Sequence, residues 1–111
     1  MTPYVEVHVT AGTREEAERI CDAAVRGRVA ACAQIAGPIV SVYRWAGEVR
    51  RDEEFLILMK TGGDRLDDLV SVVRAEHSYE TPEIVAVPIE GGLADYLTWI
   101  TAETTEAPPA G

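Results

Sequence analysis

The chain has 111 residues, of which 47% are hydrophobic and 26% charged, a balance typical of one globular domain. Its formal net charge is −9. Because phosphate contacts need clustered Lys and Arg, this charge disfavours nucleic acid as a partner, and it equally disfavours an anionic membrane surface. The two cysteines form no disulfide framework, and neither a leader pattern nor a membrane-spanning run is recognisable. We therefore expect a cytoplasmic protein.

Periodicity predicts the first two elements. Residues 4–9 alternate between apolar valines and other side chains, which indicates a half-buried strand. Thr13 is followed three positions later by Glu16, the spacing of a capping box, and an apolar stripe with helical spacing continues to Val25. Gly27 is placed to end this helix. A strand followed by an amphipathic helix is thus predicted.

The middle of the chain predicts a long hairpin. Residues 29–44 are rich in small and β-branched side chains, with a bulge or break expected at Gly37-Pro38 because proline cannot donate in a strand ladder. Ala46-Gly47 turns the chain, and residues 48–60 form the return strand. Residues 55–59 are apolar at every position, which predicts that this stretch is covered on both faces.

The second half repeats the pattern of a helix followed by a strand. The turn at residues 61–64 precedes a helix whose apolar stripe extends to His77, and residues 84–89 are strongly β-prone. Residues 93–100 predict a short amphipathic helix. From Thr101 onward apolar periodicity ends, which is typical of disorder. We set the domain at residues 1–103 and a disordered tail at residues 104–111.

The order of elements predicts an α+β fold. It is a ferredoxin-like βαββαβ sandwich with a long central hairpin and a short C-terminal helix, and its helices cover one face of the sheet. Hairpin strands of about 12 residues would reach ~40 Å and project beyond such a small domain. Projecting strands expose unpaired backbone groups, so we expect them to be covered by copies of the same chain.

Five motifs follow one another along residues 4–100. They are Ala31-Cys32, Ser41-Val42-Tyr43-Arg44-Trp45-Ala46-Gly47, Lys60-Thr61, His77-Ser78-Tyr79-Glu80-Thr81-Pro82-Glu83 and Tyr96-Leu97-Thr98-Trp99. In order and spacing they resemble the signatures of the CutA divalent-cation-tolerance family. The resemblance implies a ferredoxin-like homotrimer similar to the PII signalling proteins, with hairpin strands paired between subunits. It also implies tolerance to divalent metals and, as in some members, copper binding.

Two residues depart from the family pattern. Gln34 stands where the family usually has Asn, which weakens any role for an amide at that position. Ser78 stands where the family usually has Pro after the histidine. This second change frees a backbone N–H and is expected to loosen the turn after His77.

The candidate metal ligands are Cys32, His77 and Glu80. Thiolates select Cu(I) or Zn, and imidazole with carboxylates suits Cu(II) or Zn. The alternative is structural, with Cys32 as a small buried apolar residue and His77 as a hydrogen-bonded core histidine. A full site needs three or four ligands, so a metal site would need a second subunit. No cofactor is obligatory; copper or another divalent metal is the candidate.

A second candidate site is a cleft between subunits that takes a small ligand. Its residues are Trp45, Lys60, Tyr79, Glu83 and Trp99, with Lys60, the only lysine, as the polar anchor. The alternative is that the aromatic residues only pack subunits together.

Three functions compete. The first is a homotrimeric metal-binding and cation-tolerance protein, and the second is a PII-like signalling adaptor that binds a metabolite or partner between subunits. The third is an enzyme that uses Cys32 and His77 as nucleophile and base. The sequence contains no Walker loop, GxGxxG, HExxH or GxSxG motif, so we predict that the protein is not an enzyme.

Overall fold

A computed structural model describes residues 3–105 of the chain. Four strands and three α-helices follow in the order β1 (Tyr4–Ala11), α1 (Arg14–Arg26), β2 (Cys32–Trp45), β3 (Glu48–Gly62), α2 (Leu66–Glu76), β4 (Ile84–Pro88) and α3 (Ala94–Thr104). A 3-10 turn at Gly63–Arg65 leads into α2. None of the helices within residues 3–105 has the length and hydropathy of a membrane-spanning segment.

The strands form one antiparallel sheet in the order β2-β3-β1-β4. This order, with helices following β1 and β3, is the ferredoxin-like arrangement predicted from the sequence. The alternation of side chains places the fully buried Val7, Val9, Ile57 and Met59 on one face of the sheet. They belong to the main core cluster, to which α1 contributes Ile20 and α2 contributes Leu69 and Val73.

The opposite face of the sheet is open over much of its area. By strand register, Leu56 and Leu58 of β3 share this face with Val85 and Val87 of β4. The two leucines are half-buried, and the two valines are 50% and 44% exposed. A single chain therefore leaves uncovered the second face that the apolar run at residues 55–59 was predicted to bury.

The β2–β3 hairpin contains the predicted bulge. The register of the two strands shifts between Ala36 and Ile39, at a cis Gly37-Pro38 peptide bond, and Gly37 has a φ of 144° that favours glycine. The tip is a two-residue turn in which Ala46 and Gly47 both have positive φ. Within the described part of the chain, the strands beyond the bulge pair only with each other, which contributes to the elongated extent of 52 × 32 × 23 Å.

The first helix begins as predicted, but its capping box is only half formed. Thr13 Oγ1 accepts a hydrogen bond from the Glu16 N–H at 3.1 Å. The Glu16 carboxylate does not return to Thr13; it turns toward the segment after α2, where it accepts from the Ser78 N–H at 3.2 Å. The glutamate thereby joins the two helices.

The C-terminal helix is longer than predicted, and the expected disorder from Thr101 is wrong for residues 101–104. These residues complete α3, and Thr104 is buried. The cause is a distant side chain: the Arg28 guanidinium donates to the carbonyls of Ala102 and Thr105, each at 2.9 Å. Such contacts satisfy carbonyls that a helix end leaves unpaired. The rest of the predicted tail, residues 106–111, lies outside the described residues.

Candidate functional site

One end of the open face, here called the thiol end, brings together Cys32, Lys60, Tyr96 and Trp99. Cys32 begins β2 and pairs with Lys60 on β3. The Cys32 Sγ is 3.5 Å from the Tyr96 hydroxyl, and the rings of Tyr96 and Trp99 are 5.3 Å apart. The hydrogen bond with Cys32 is the largest cause raising the pKa of Tyr96. Two predicted cleft residues thus lie beside a predicted metal ligand.

The only lysine already has partners in its own chain. Lys60 Nζ donates to Gln34 Oε1 at 3.2 Å and lies 3.6 Å from Glu6 Oε1. The longer amide side chain of Gln34 therefore reaches the lysine despite the departure from the family pattern. Glu6 also accepts from His8 Nε2 at 2.8 Å, and this bond, ahead of the charge of Lys60, holds the pKa of Glu6 below 4.5.

His77 follows α2 and has a fully buried side chain. Its Nε2 is 2.7 Å from the Thr10 carbonyl oxygen, and its Nδ1 is 3.1 Å from the Tyr79 backbone nitrogen. A carbonyl only accepts and an amide N–H only donates, so Nε2 carries the proton and Nδ1 accepts. Both nitrogens are therefore occupied, as in the alternative of a hydrogen-bonded core histidine.

One chain does not gather its three predicted metal ligands. Cys32 lies in a row with Lys60 and Glu6 across the sheet, whereas His77 bonds to Thr10, four residues further along β1. Four residues of a strand correspond to about 13 Å. Within residues 3–105 no three His, Cys, Asp or Glu side chains are close enough to hold one ion. A metal site formed by Cys32, His77 and Glu80 thus does not fit a single subunit.

The other end of the sheet carries a cavity of about 550 Å³, here called the hairpin cavity. The outer hairpin forms one wall with Val42, Tyr43, Trp45 and Arg50, and the α2–β4 connection forms another with Tyr79, Glu80 and Glu83. The predicted cleft residues Trp45, Tyr79 and Glu83 are therefore brought together with Glu80. Lys60 and Trp99 belong to the thiol end, so the complete predicted cleft would need two subunits.

Glu54 is a cavity residue that the sequence did not reveal. It is only 8% exposed, and its carboxylate accepts a hydrogen bond from the Tyr79 hydroxyl at 3.1 Å. Burial, followed by this bond, raises the pKa of Tyr79 to about 12. Glu54 ends the acidic run at residues 52–54, which is typical of a solvated surface. One feature of the sequence could have identified it: Glu54 precedes Leu56 by two residues, so strand alternation places both side chains on the same face of β3.

The fold and these sites define a class of small α+β proteins with a ferredoxin-like sheet, an open sheet face and an extended hairpin. Residues 5–103 match the family described as CutA1 divalent ion tolerance protein. The chain belongs to this family.

Two relatives show the extent of the similarity. The chain is 43% identical over 98 residues to the divalent-cation tolerance protein CutA of Thermus thermophilus, covering 88% of this chain and 95% of the relative. It is 39% identical over 105 residues to the chloroplastic protein CutA 1 of Oryza sativa. That match covers 95% of this chain but 59% of the rice protein. The match to the chloroplastic CutA of Arabidopsis thaliana covers 56% of that protein. The chain thus spans a little over half of these plant relatives.

Solved structures agree with the fold. The divalent cation tolerance protein (Cut A1) of Thermus thermophilus has a TM-score of 0.90 at 41% identity, over 92% of this chain and 99% of that one. CutA1 from Oryza sativa has a TM-score of 0.91 at 39% identity, over 96% and 97% of the two chains.

Proposed function

We propose that the protein is a homotrimer that binds copper or another divalent metal and acts in cation tolerance. The observation that carries the assembly is the open sheet face, where Leu56 and Leu58 of β3 and the exposed Val85 and Val87 of β4 lie on either side of the central strand β1. The hairpin adds further exposed apolar side chains at Val40, Val42 and Val49. Exposed apolar side chains grouped on a sheet face and its hairpin are typical of an interaction surface, and copies of the chain are its natural cover.

Light scattering tests the assembly. We expect a mass three times the chain mass of 12.1 kDa at micromolar concentration. Leu58→Glu should reduce the mass because it places a charge on the open face, whereas Val25→Glu, on the exposed side of α1, should leave it unchanged. A monomeric mass for the unmodified protein would refute the trimer.

The proposed metal site lies between subunits, with Cys32, His77 and Glu80 as its candidate ligands. Cys32 is more available than His77: its thiol is partly exposed, and its one hydrogen-bond contact among the described residues is the 3.5 Å approach to Tyr96. A thiolate favours Cu(I), which makes Cys32 the preferred anchor. His77 would have to release Thr10 or Tyr79 before it could offer a lone pair, which weakens its candidacy.

Metal titration of the purified protein tests these ligands, and the chain supplies a matched control for each. Cu(I), Cu(II) and Zn would be titrated into Cys32→Ser beside Cys21→Ser, His77→Gln beside His8→Gln, and Glu80→Gln beside Glu90→Gln. The proposal expects stoichiometric binding that weakens at least tenfold in Cys32→Ser and not in Cys21→Ser. Equal affinity in these two variants would remove Cys32 from the site.

The hairpin cavity favours a second function, a PII-like adaptor that binds a small metabolite or partner. Its volume lies within the range of small-molecule sites, and it combines aromatic walls with a few polar groups. A change in Trp45 fluorescence on adding a ligand would report binding, and Trp99→Phe removes the signal of the other tryptophan. Ligands that protect the protein against heat but leave the Trp45 signal unchanged would place their site elsewhere.

The proposed role is binding in the cytoplasm rather than catalysis. The distance between Cys32 and His77 in one chain speaks against a nucleophile–base pair. Both cysteines are free thiols, which suits a reducing compartment. Cell fractionation would test the location, with recovery outside the cytoplasm as the contrary result.

A further inference from the structure

The buried carboxylate of Glu54 has no cationic partner among the described residues 3–105. It is 8% exposed and lies on the wall of the hairpin cavity, yet no Lys, Arg or His within residues 3–105 forms an ion pair with it. The Tyr79 hydroxyl gives it one neutral hydrogen bond, although a carboxylate can accept several. Because buried charges are normally paired, we expect a cation from outside the described residues to serve as the counter-ion of Glu54.

The other residues of the hairpin cavity also favour a positively charged ligand. Glu80 and Glu83 add two carboxylates to its wall, against the single guanidinium of Arg50. Tyr43, Trp45 and Tyr79 supply aromatic rings, whose faces attract cations, and Val42 supplies apolar surface. An anion would meet like charge here, and a bare metal ion would lack a set of three ligands among the described residues.

We propose that the hairpin cavity binds an organic cation, an ammonium or guanidinium group on a short apolar stem, with Glu54 as its buried counter-ion. The cationic head pairs with Glu54, and the stem packs along Val42 and Trp45. The proposal rests on the ligand-binding function proposed above and names the chemical class of the ligand. The head can belong to a free small molecule or to an arginine of a second copy.

Four small molecules, each with a chain of four carbons, separate charge from shape. Butylguanidinium and butylammonium carry the cation, sodium butyrate carries an anion, and butanol is neutral. Each is titrated at constant ionic strength, with Trp45 fluorescence measured in the Trp99→Phe background and the melting temperature as a second readout. We expect saturable binding of both cations and at least tenfold weaker binding of butyrate and butanol.

Glu54→Gln is the decisive variant. It keeps an acceptor for the Tyr79 hydroxyl but removes the charge, so we expect at least tenfold weaker cation binding with the fold intact. Glu53→Gln, an exposed neighbour on the other face of β3, is the matched control and should bind normally. Equal cation affinity in the two variants would overturn the role of Glu54.

The remaining outcomes are distinguishable. Equal binding of butyrate or butanol would retain the cavity as a ligand site but overturn its preference for cations. No response to any of the four probes, in the unmodified protein and in the arginine variants named next, would overturn both proposals. Cation binding that appears only after Arg44→Ala and Arg51→Ala, two exposed arginines near the hairpin tip, would support the same chemistry with a second copy as its source.

Discussion

The backbone N–H of Ser78 donates a hydrogen bond of 3.2 Å to the carboxylate of Glu16 and thereby joins the end of α2 to the first turn of α1. Glu16 is only 8% exposed, and its second oxygen, Oε1, is buried without a hydrogen-bond partner in the described part of the chain. The N–H that a proline would lack is thus used, and it ties the turn after His77 to α1.

Replacing Ser78 by proline should destabilise the protein. Ser78→Pro removes the donor and leaves Oε2 of a nearly buried carboxylate with only the 3.6 Å ion pair to Arg19. We expect a loss of about 1–3 kcal/mol, partly offset by about 0.4–1 kcal/mol from the stiffer unfolded chain. Urea unfolding measures the difference. Ser78→Ala is the control because it keeps the N–H and changes only an exposed side chain. Equal stability of the two variants would show that the hydrogen bond contributes nothing measurable.

Removing the Arg28 guanidinium should fray the end of α3. Arg28→Ala abolishes the hydrogen bonds to Ala102 and Thr105, and we expect a loss of about 1–2 kcal/mol with faster amide exchange in the last turn. Hydrogen exchange followed by NMR locates the effect. Arg26→Ala, which removes an exposed arginine at the end of α1, should leave exchange in α3 unchanged. A uniform change across the protein would contradict a local role.

The Cys21 thiol should make the stability depend on alkaline pH. Burial, with the charges of Asp22 and Glu18, raises the pKa of Cys21 from 9.0 to about 11. The folded state thus retains a proton that the unfolded state releases, and the resulting stabilisation is present below pH 9 and lost as pH rises toward 11. Unfolding free energies measured across this interval should fall more steeply for the unmodified protein than for Cys21→Ala. Parallel curves would contradict the shift.

Features with local signals were predictable from the sequence. The bulge follows from Gly37-Pro38 because proline cannot donate in a ladder, and the beginning of α1 follows from Thr13 because its hydroxyl can cap the helix. The end of α3 was not predictable because its stabilising residue, Arg28, is more than 70 residues away along the chain.

The candidate sites show the same limit. Sequence order places Tyr79, Glu80 and Glu83 together, and the structure keeps them together on one cavity wall. Sequence order alone does not show that Cys32 and His77 lie about four strand residues apart, since this separation depends on strand pairing. The role of Glu54 was not predictable because its hydrogen-bond partner, Tyr79, lies in the α2–β4 connection rather than in β3.

The ion pair network beside the thiol end makes a last prediction, about Glu6. The hydrogen bond from His8 is the largest cause that lowers the pKa of Glu6, and the charge of Lys60 acts less strongly. His8→Ala should therefore raise the pKa of Glu6 toward 4.5, by more than Lys60→Met does, as measured by NMR titration of the side-chain carboxyl carbon. Because a lowered pKa stabilises the fold above pH 4.5 and this contribution is lost as pH falls, His8→Ala should also flatten the acid limb of the stability curve. A larger shift in Lys60→Met would instead assign the main effect on Glu6 to the lysine.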